Sequence, residues 1–387
     1  MKKINYLLLS SLILAAGAQS CSSSSNEPES TLSAKDQALK DATAAYVENT
    51  VLPTYKGMAD NAIALYDDCV EIQKKHAAGT LAKADIEKAA NHWKGARKYW
   101  ELSEAFLFGP AADYNIDPHI DSWPLDKAAM DRLLAEIRNG AEYSIDNNFG
   151  YGLLGFHSIE YMLFELSADG QTSSIHSTDY TPEELAYLVI VAEDLRNQCV
   201  CLEACWAGTD NVSEEKQTIL EEADIDKNKN YGWMIMNAGQ AGSVFKTYQQ
   251  AGEQILQGCI DIADVVGNTK IGRPNSSSSE EDRNYIESPY SLNSIEDFAD
   301  NIKSIRNSYQ GSSSGDKSIS DYIKSVNPTL DAKVRKQIDD AISAIEQIPE
   351  PFAKNATGAA ATNAVKVVGT DLVGTLEEAY QEIVKNR

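Results

Sequence analysis

Histidine is scarce in this chain, with five in 387 residues. No His is followed by Glu, so the H-E-x-x-H zinc-protease motif is absent. The inverted form, H-x-x-E-H, fails at its last position, where Tyr161 follows Glu160. Positive charge is also in short supply. Thirty-four Lys and Arg face 58 Asp and Glu, for a formal net charge of −24. That balance excludes a nucleic-acid partner, because phosphate binding needs clustered cations. Alternating apolar and polar runs of strand length are lacking, which excludes a sheet-based fold. Apart from the N-terminus, no apolar run is long enough to span a membrane.

The N-terminus is a processing signal. Lys2 and Lys3 precede the apolar stretch Ile4–Ala18, then Ala18-Gln19-Ser20-Cys21. This resembles a bacterial lipoprotein signal, with residues 1–20 removed, lipid on the Cys21 thiol and residues 21–32 as a polar tether. Ordinary secretion with an incidental Cys21 is the alternative. Either way the mature chain is expected outside the cytoplasm. With the lipid it would sit on the outer membrane of a Gram-negative-type envelope, periplasmic or surface-exposed. Cys69, Cys199, Cys201, Cys205 and Cys259 remain, an odd number that leaves at least one unpaired within the chain. Cys201 and Cys205 stand one helical turn apart. They read as buried thiols or one cross-helix disulfide more readily than as a zinc thiolate site.

Helical periodicity dominates the rest. Thr181-Pro182-Glu183-Glu184 has the form of an N-cap, a first-turn proline and a capping-box Glu. Asn327-Pro328 opens another helix, which Pro349 ends, and Ser294 is the expected cap of a third. Further helices are expected over residues 33–76, kinked at Pro53, and over 81–106, 238–266 and 359–385. The acidic stretch Thr209–Tyr231 divides the pattern, so we expect an all-α protein of two packed helical bundles, residues 33–210 and 211–387. Residues 276–282 and 311–315 read as solvated connectors. Gly109–Trp123 reads as a long loop holding Asp113, Asp117, His119 and Asp121, either as turn caps or as functional groups.

Two motif matches carry no chemistry. Gly150-Tyr151-Gly152-Leu153-Leu154-Gly155 fits the dinucleotide fingerprint but follows turn residues rather than a strand. Gly311-Ser312-Ser313-Ser314-Gly315 fits G-x-S-x-G without a sheet to carry a nucleophile.

The informative motif is Gly155-Phe156-His157-Ser158-Ile159-Glu160. On a helix, His157 and Glu160 share one face and can serve one metal ion together. Gly155 leaves room for a backbone or a ligand to approach. A buried His paired with a neighbouring carboxylate is the plainer reading. Upstream, the helix holding Trp93, Arg97, Trp100, Glu101 and Glu104 repeats the one-turn acidic spacing, and Asp121-Ser122-Trp123-Pro124 follows. Much later come Glu287-Ser288-Pro289-Tyr290-Ser291, Asp297-Phe298 and Asn301-Ile302. Together, behind a lipoprotein-type signal, these segments resemble the imelysin family of bacterial envelope proteins.

The resemblance implies an all-helical, two-domain fold with a site in a groove near the junction. It carries the family motif onto Gly155, His157 and Glu160, and adds Glu101, Glu104, Asp117 and Asp121 as further metal ligands. The metal would be iron, with copper or zinc as alternatives, since carboxylates with one imidazole make an oxygen-rich site. Arg97 would orient a carboxylate or simply pair on a solvated face. Trp93, Trp100 and Trp123 read as core or groove walls. Three functions follow. The first is metal binding in an uptake system, with a membrane anchor and an outer-membrane partner. The second is a metallopeptidase using His157 and Glu160. The third is recognition of a polysaccharide or partner protein without a metal.

Overall fold

The computed structural model describes residues 32–226, 229–313, 315 and 317–385. Cys21 and its signal lie outside the described residues.

The chain is all-α, with a single two-stranded hairpin among the described residues. That hairpin, Phe164–Leu166 paired antiparallel with Ser173–Ile175, was not expected. Three residues per strand are too few to write a periodic signal. Local capping behaves as its chemistry dictates. The Thr181 side chain accepts from Glu184 N, and Glu184 Oε2 accepts from Thr181 N at 2.7 Å, opening the Pro182–Ala207 helix. Asn327 Oδ1 accepts from Leu330 N at 3.1 Å to open Pro328–Glu346. One cap is displaced by a residue. Asn293 stands at the cap, and Ser294 is the first helical residue of Ser294–Gln310, its Oγ donating to the Glu287 carbonyl.

Leu52–Ala77 packs against Lys83–Glu101 and Pro182–Ala207. Tyr248–Asp264 packs against Ser294–Gln310 and Val373–Lys385, and Ser294–Gln310 packs in turn on Pro328–Glu346. Two elements join these sets. Ala34–Ala45 lies against Tyr248–Asp264, and Lys83–Glu101 lies against Ser294–Gln310. The core residues Trp93, Trp100, Trp206, Tyr55 and Phe106 are fully buried.

Several helix boundaries depart from the periodicity. The expected kink at Pro53 is a π turn over Tyr46–Val51, just before the Leu52–Ala77 helix that Pro53 enters in its first turn. A wide turn tolerates the missing proline N–H. Two more π turns occupy Val265–Ile271 and Val367–Leu372. They cross so closely that a Cβ on Gly267 would lie 2.3 Å from the Gly369 Cα. The helix expected from residue 81 ends at Glu101 and resumes as one 3₁₀ turn, Glu104–Phe106. The one expected from residue 238 starts at Tyr248. The segment 109–123 is not a plain loop, since it holds single turns at Pro110–Asp113 and Asp117–Ile120.

All five described cysteines are buried and none forms a disulfide, with Cys201 and Cys205 sulfurs 3.9 Å apart. Among the described residues no helix is long and apolar enough to cross a membrane.

Candidate functional site

Five separate segments deliver charge to one buried place. Lys83–Glu101 supplies Arg97 and Glu101 from its last turns, and the following 3₁₀ turn supplies Glu104. Asp121 caps the short turn Asp117–Ile120. Gly155–Leu163 supplies His157 and Glu160. The π turn Val265–Ile271 supplies Lys270. Glu287 precedes the Ser294–Gln310 helix, which supplies Asp297 and Asn301.

Gly155 makes the juxtaposition possible. Its φ is +72°, and a Cβ there would lie 2.1 Å from the Ile120 carbonyl oxygen. The glycine therefore admits a neighbouring backbone, and so brings the helix start that bears His157 against the turn that bears Asp121.

Arg97 is at the centre and has no exposure. Its Nη1 pairs with Asp121, its Nη2 with Glu287 and, at 2.6 Å, with Glu101 Oε1, and its Nε with Asp297 Oδ2 at 3.3 Å. It is thus no solvated surface residue, and it binds four carboxylates rather than orienting one. Lys270 Nζ adds Glu287 Oε1 at 3.0 Å, Glu104 Oε1 at 3.3 Å and Glu101 Oε2 at 3.4 Å.

His157 lies between two acids. Its Nδ1 is 3.4 Å from Glu160 Oε2. Its Nε2 is 2.9 Å from Asp121 Oδ1, but off the line of a hydrogen bond. Asp121 is held from its other side by Trp100 Nε1 at 2.8 Å. Glu160 Oε1 accepts three hydrogen bonds, from Tyr290 N at 3.0 Å, Ser291 N at 2.7 Å and Ser291 Oγ at 2.7 Å. Glu160 therefore ties the 288–291 segment to the motif helix and presents its remaining oxygen to the imidazole.

Burial lowers the tendency of every group here to carry charge, and the partners decide which ones do. Burial pushes the Asp121 carboxyl up, but the Arg97 guanidinium and the His157 ring outweigh it and hold Asp121 well below the usual carboxylate range. Burial pulls His157 down, but Asp121 and Glu160 outweigh it and hold the ring up at about 9. Burial keeps Glu101 well above its ordinary value, and raises Glu104 to about 7 and Asp297 to about 6. Asp117 is raised to about 6, by burial first and then by Asp121.

The donor atoms converge in three overlapping triples whose members lie within 4.8 Å of one another. These are Asp121, His157 and Glu287; Glu101, Glu287 and Asp297; and Glu101, Glu104 and Asp121. Of the residues singled out by sequence, His157, Glu101, Glu104 and Asp121 fall in these triples, and Glu160 and Asp117 do not. Glu287, Asp297 and Lys270 were not anticipated as site residues. Glu287 and Asp297 sat in motif segments that gave no hint of convergence, and nothing local marks Lys270. The donor chemistry fits a hard cation. Six carboxylates share three internal cations, and the buried Glu287 Oε2 and Asn301 Oδ1 have no hydrogen-bond partner.

A cavity of about 250 Å³ reaches this cluster, lined by Trp123, Pro124, His157, Glu160, Ile286 and Tyr290. Trp123 lines that cavity as a groove wall, its ring tilted at 40° against Tyr285 with centroids 4.0 Å apart. A wider cleft of about 940 Å³, lined by Lys333, Glu377, Glu378 and Glu382, includes none of the cluster residues.

Comparison with known proteins places this architecture among relatives. The family model for imelysin, Peptidase_M75, matches residues 30–380. Iron-regulated protein A of Synechococcus elongatus is 27% identical over 342 residues, covering 88% of this chain and 84% of the relative. The crystal structure of an iron-regulated protein A precursor from Parabacteroides distasonis superposes with a TM-score of 0.71 at 29% identity, over 92% of this chain and 97% of that one. An imelysin-like protein from Psychrobacter arcticum shares the fold, with a TM-score of 0.56 at 15% identity, over 88% and 96% of the two chains.

Proposed function

This chain belongs to the imelysin family, and from that premise we propose that it is a lipid-anchored envelope protein that binds a metal ion, iron first, and takes part in its uptake. The observation that carries the reading is the imbalance of the buried cluster, in which six carboxylates share Arg97, Lys270 and His157. An entering cation would offset that excess, whereas an exact internal pairing would leave it nothing to do. Asp121, His157 and Glu287 would hold the ion, with Glu101, Glu104 and Asp297 adjacent. His157 would shed its proton on ligation, and Glu160 would orient its ring. The iron preference draws on the name of the Synechococcus relative and on the oxygen-rich donor set. Copper and zinc are the competing ions.

The metallopeptidase alternative would ask Glu160 to activate water. Its Oε1 already accepts three hydrogen bonds and its Oε2 faces the imidazole, which argues for a holding role.

Elemental analysis and titration of the purified chain test the metal. We expect stoichiometric iron, with binding weakened about 100-fold by His157→Ala and unchanged by His119→Ala, whose ring pairs instead with Asp194 at 3.0 Å. A wild-type chain that takes up no iron, copper or zinc ends the proposal. The anchor is tested by fractionation, where Cys21→Ser should move the protein from membranes to the soluble fraction. An unchanged distribution would remove lipid from the account.

A further inference from the structure

Lys270 has the surroundings of a ligated ion rather than of a paired side chain. An ion pair needs one carboxylate. The Lys270 ammonium has three, Glu287, Glu104 and Glu101, at 3.0, 3.3 and 3.4 Å, brought by two separate segments of the chain. Its side chain is 4% exposed, and those of its partners are between 0% and 11% exposed. Of these, Glu287 belongs also to the triple with Asp121 and His157, whereas Glu101 and Glu104 belong only to Glu101–Glu287–Asp297 and Glu101–Glu104–Asp121, whose ligand atoms close to within 4.8 Å. These triples contain no His, whereas the remaining one contains His157.

An independent feature points the same way. Glu287 and Asn301 are fully buried, yet Glu287 Oε2 and Asn301 Oδ1 have no hydrogen-bond partner. Glu287 contacts Lys270, and Asn301 Nδ2 donates to the same Glu101 carboxylate that Lys270 touches. Buried acceptors left over beside an ammonium mean that a lysine uses only part of the coordination this pocket offers. The lysine arrives on a π turn, a local widening that often marks functional positions, and that turn is braced by the contact of Gly267 with Gly369.

We propose that the Lys270 ammonium occupies a second cation position in this cluster, next to that beside His157 and Asp121 and sharing Glu287 with it, and thereby limits the protein to one metal ion. The inference rests on the metal-binding reading of the cluster for the first position, but not for the second. Lys270 is a specificity-determining residue: it sets how many ions the carboxylates accept. Removing its ammonium would leave an all-oxygen position suited to a hard divalent ion such as Mn²⁺ or Fe²⁺.

The test compares the full mature chain with Lys270→Ala and Lys270→Gln. Each is loaded with Mn²⁺ and, without oxygen, with Fe²⁺, then desalted and analysed for bound metal. Thermal unfolding is followed alongside as Mn²⁺ is raised. We expect one ion in the wild type and two in Lys270→Ala. We also expect the metal-free variant to unfold at a lower temperature than the wild type and to regain that loss with Mn²⁺. One ion in both proteins, with no larger gain in Tm for the variants, overturns the inference and leaves the metal-binding reading intact. No ion in the wild type and one in Lys270→Ala overturns that reading and supports the inference. No ion in any of them overturns both. If Lys270→Ala does not fold alone, refolding it with and without Mn²⁺ decides the matter: recovery only with the ion supports the proposal, and no recovery in either it or Lys270→Gln refutes it.

Discussion

Among the described residues lysine is buried in two places, and the company differs. Lys216 sits between Glu203 Oε2 at 2.6 Å and Asp60 Oδ1 at 2.5 Å. Asp60 keeps 44% of its side chain in water, so charge is nearly matched and the surplus is solvated. Lys270 sits among three carboxylates little exposed to water, and Arg97 also contacts two of them, Glu101 and Glu287. A buried ion pair is therefore not in itself a sign of function. An unbalanced buried cluster is a better one, because a fold has no stability to gain from confining like charges.

Substitutions that strip one cation from each place separate the two most widely. Arg97→Met leaves four buried carboxylates without their central partner and should cost about 5 kcal/mol, the upper end for a broken buried pair. Lys216→Met strands only Glu203, since Asp60 can turn to water, and should cost about 2 kcal/mol. Urea or guanidinium denaturation would measure both. Equal costs would erase the distinction.

The smaller effect differs in sign. Glu203→Gln removes the charge of the one buried partner of Lys216 and should destabilise by about 1 kcal/mol. Glu287→Gln keeps a carbonyl acceptor for Arg97 and Lys270 while relieving the acidic surplus. The metal-free protein should then change by less than about 0.5 kcal/mol or gain stability. A clear loss for Glu287→Gln in the same denaturation experiment would mean that the cluster is balanced after all.

Much of this was legible from the chain, for identifiable reasons. Thr181 and Asn327 cap helices as expected because capping is settled within four residues. The His157–Glu160 pair followed from helical spacing alone. What Glu160 does with its other oxygen did not, because its donors at Tyr290 and Ser291 lie 130 residues away. The π turns were hidden, since one extra residue per turn leaves no mark on composition. With them went Lys270, which lies just past the helix expected over residues 238–266. Ser294 missed its assigned cap by one position because its hydroxyl serves the Glu287 carbonyl instead. That bond ties a helix start to a cluster acid, which local reading could not anticipate.

The wide turn at Val265–Ile271 has a consequence for how this protein could lose its chemistry. Each residue of a regular helix advances the chain by about 100° around its axis. Tightening this turn to ordinary pitch with no residue removed would carry position 270 further around the axis and swing its ammonium to another side of the rod. Every acid, the imidazole and the guanidinium would survive such a change unaltered. A homologue could thus retain the whole inventory of charged side chains and still hold a different number of ions.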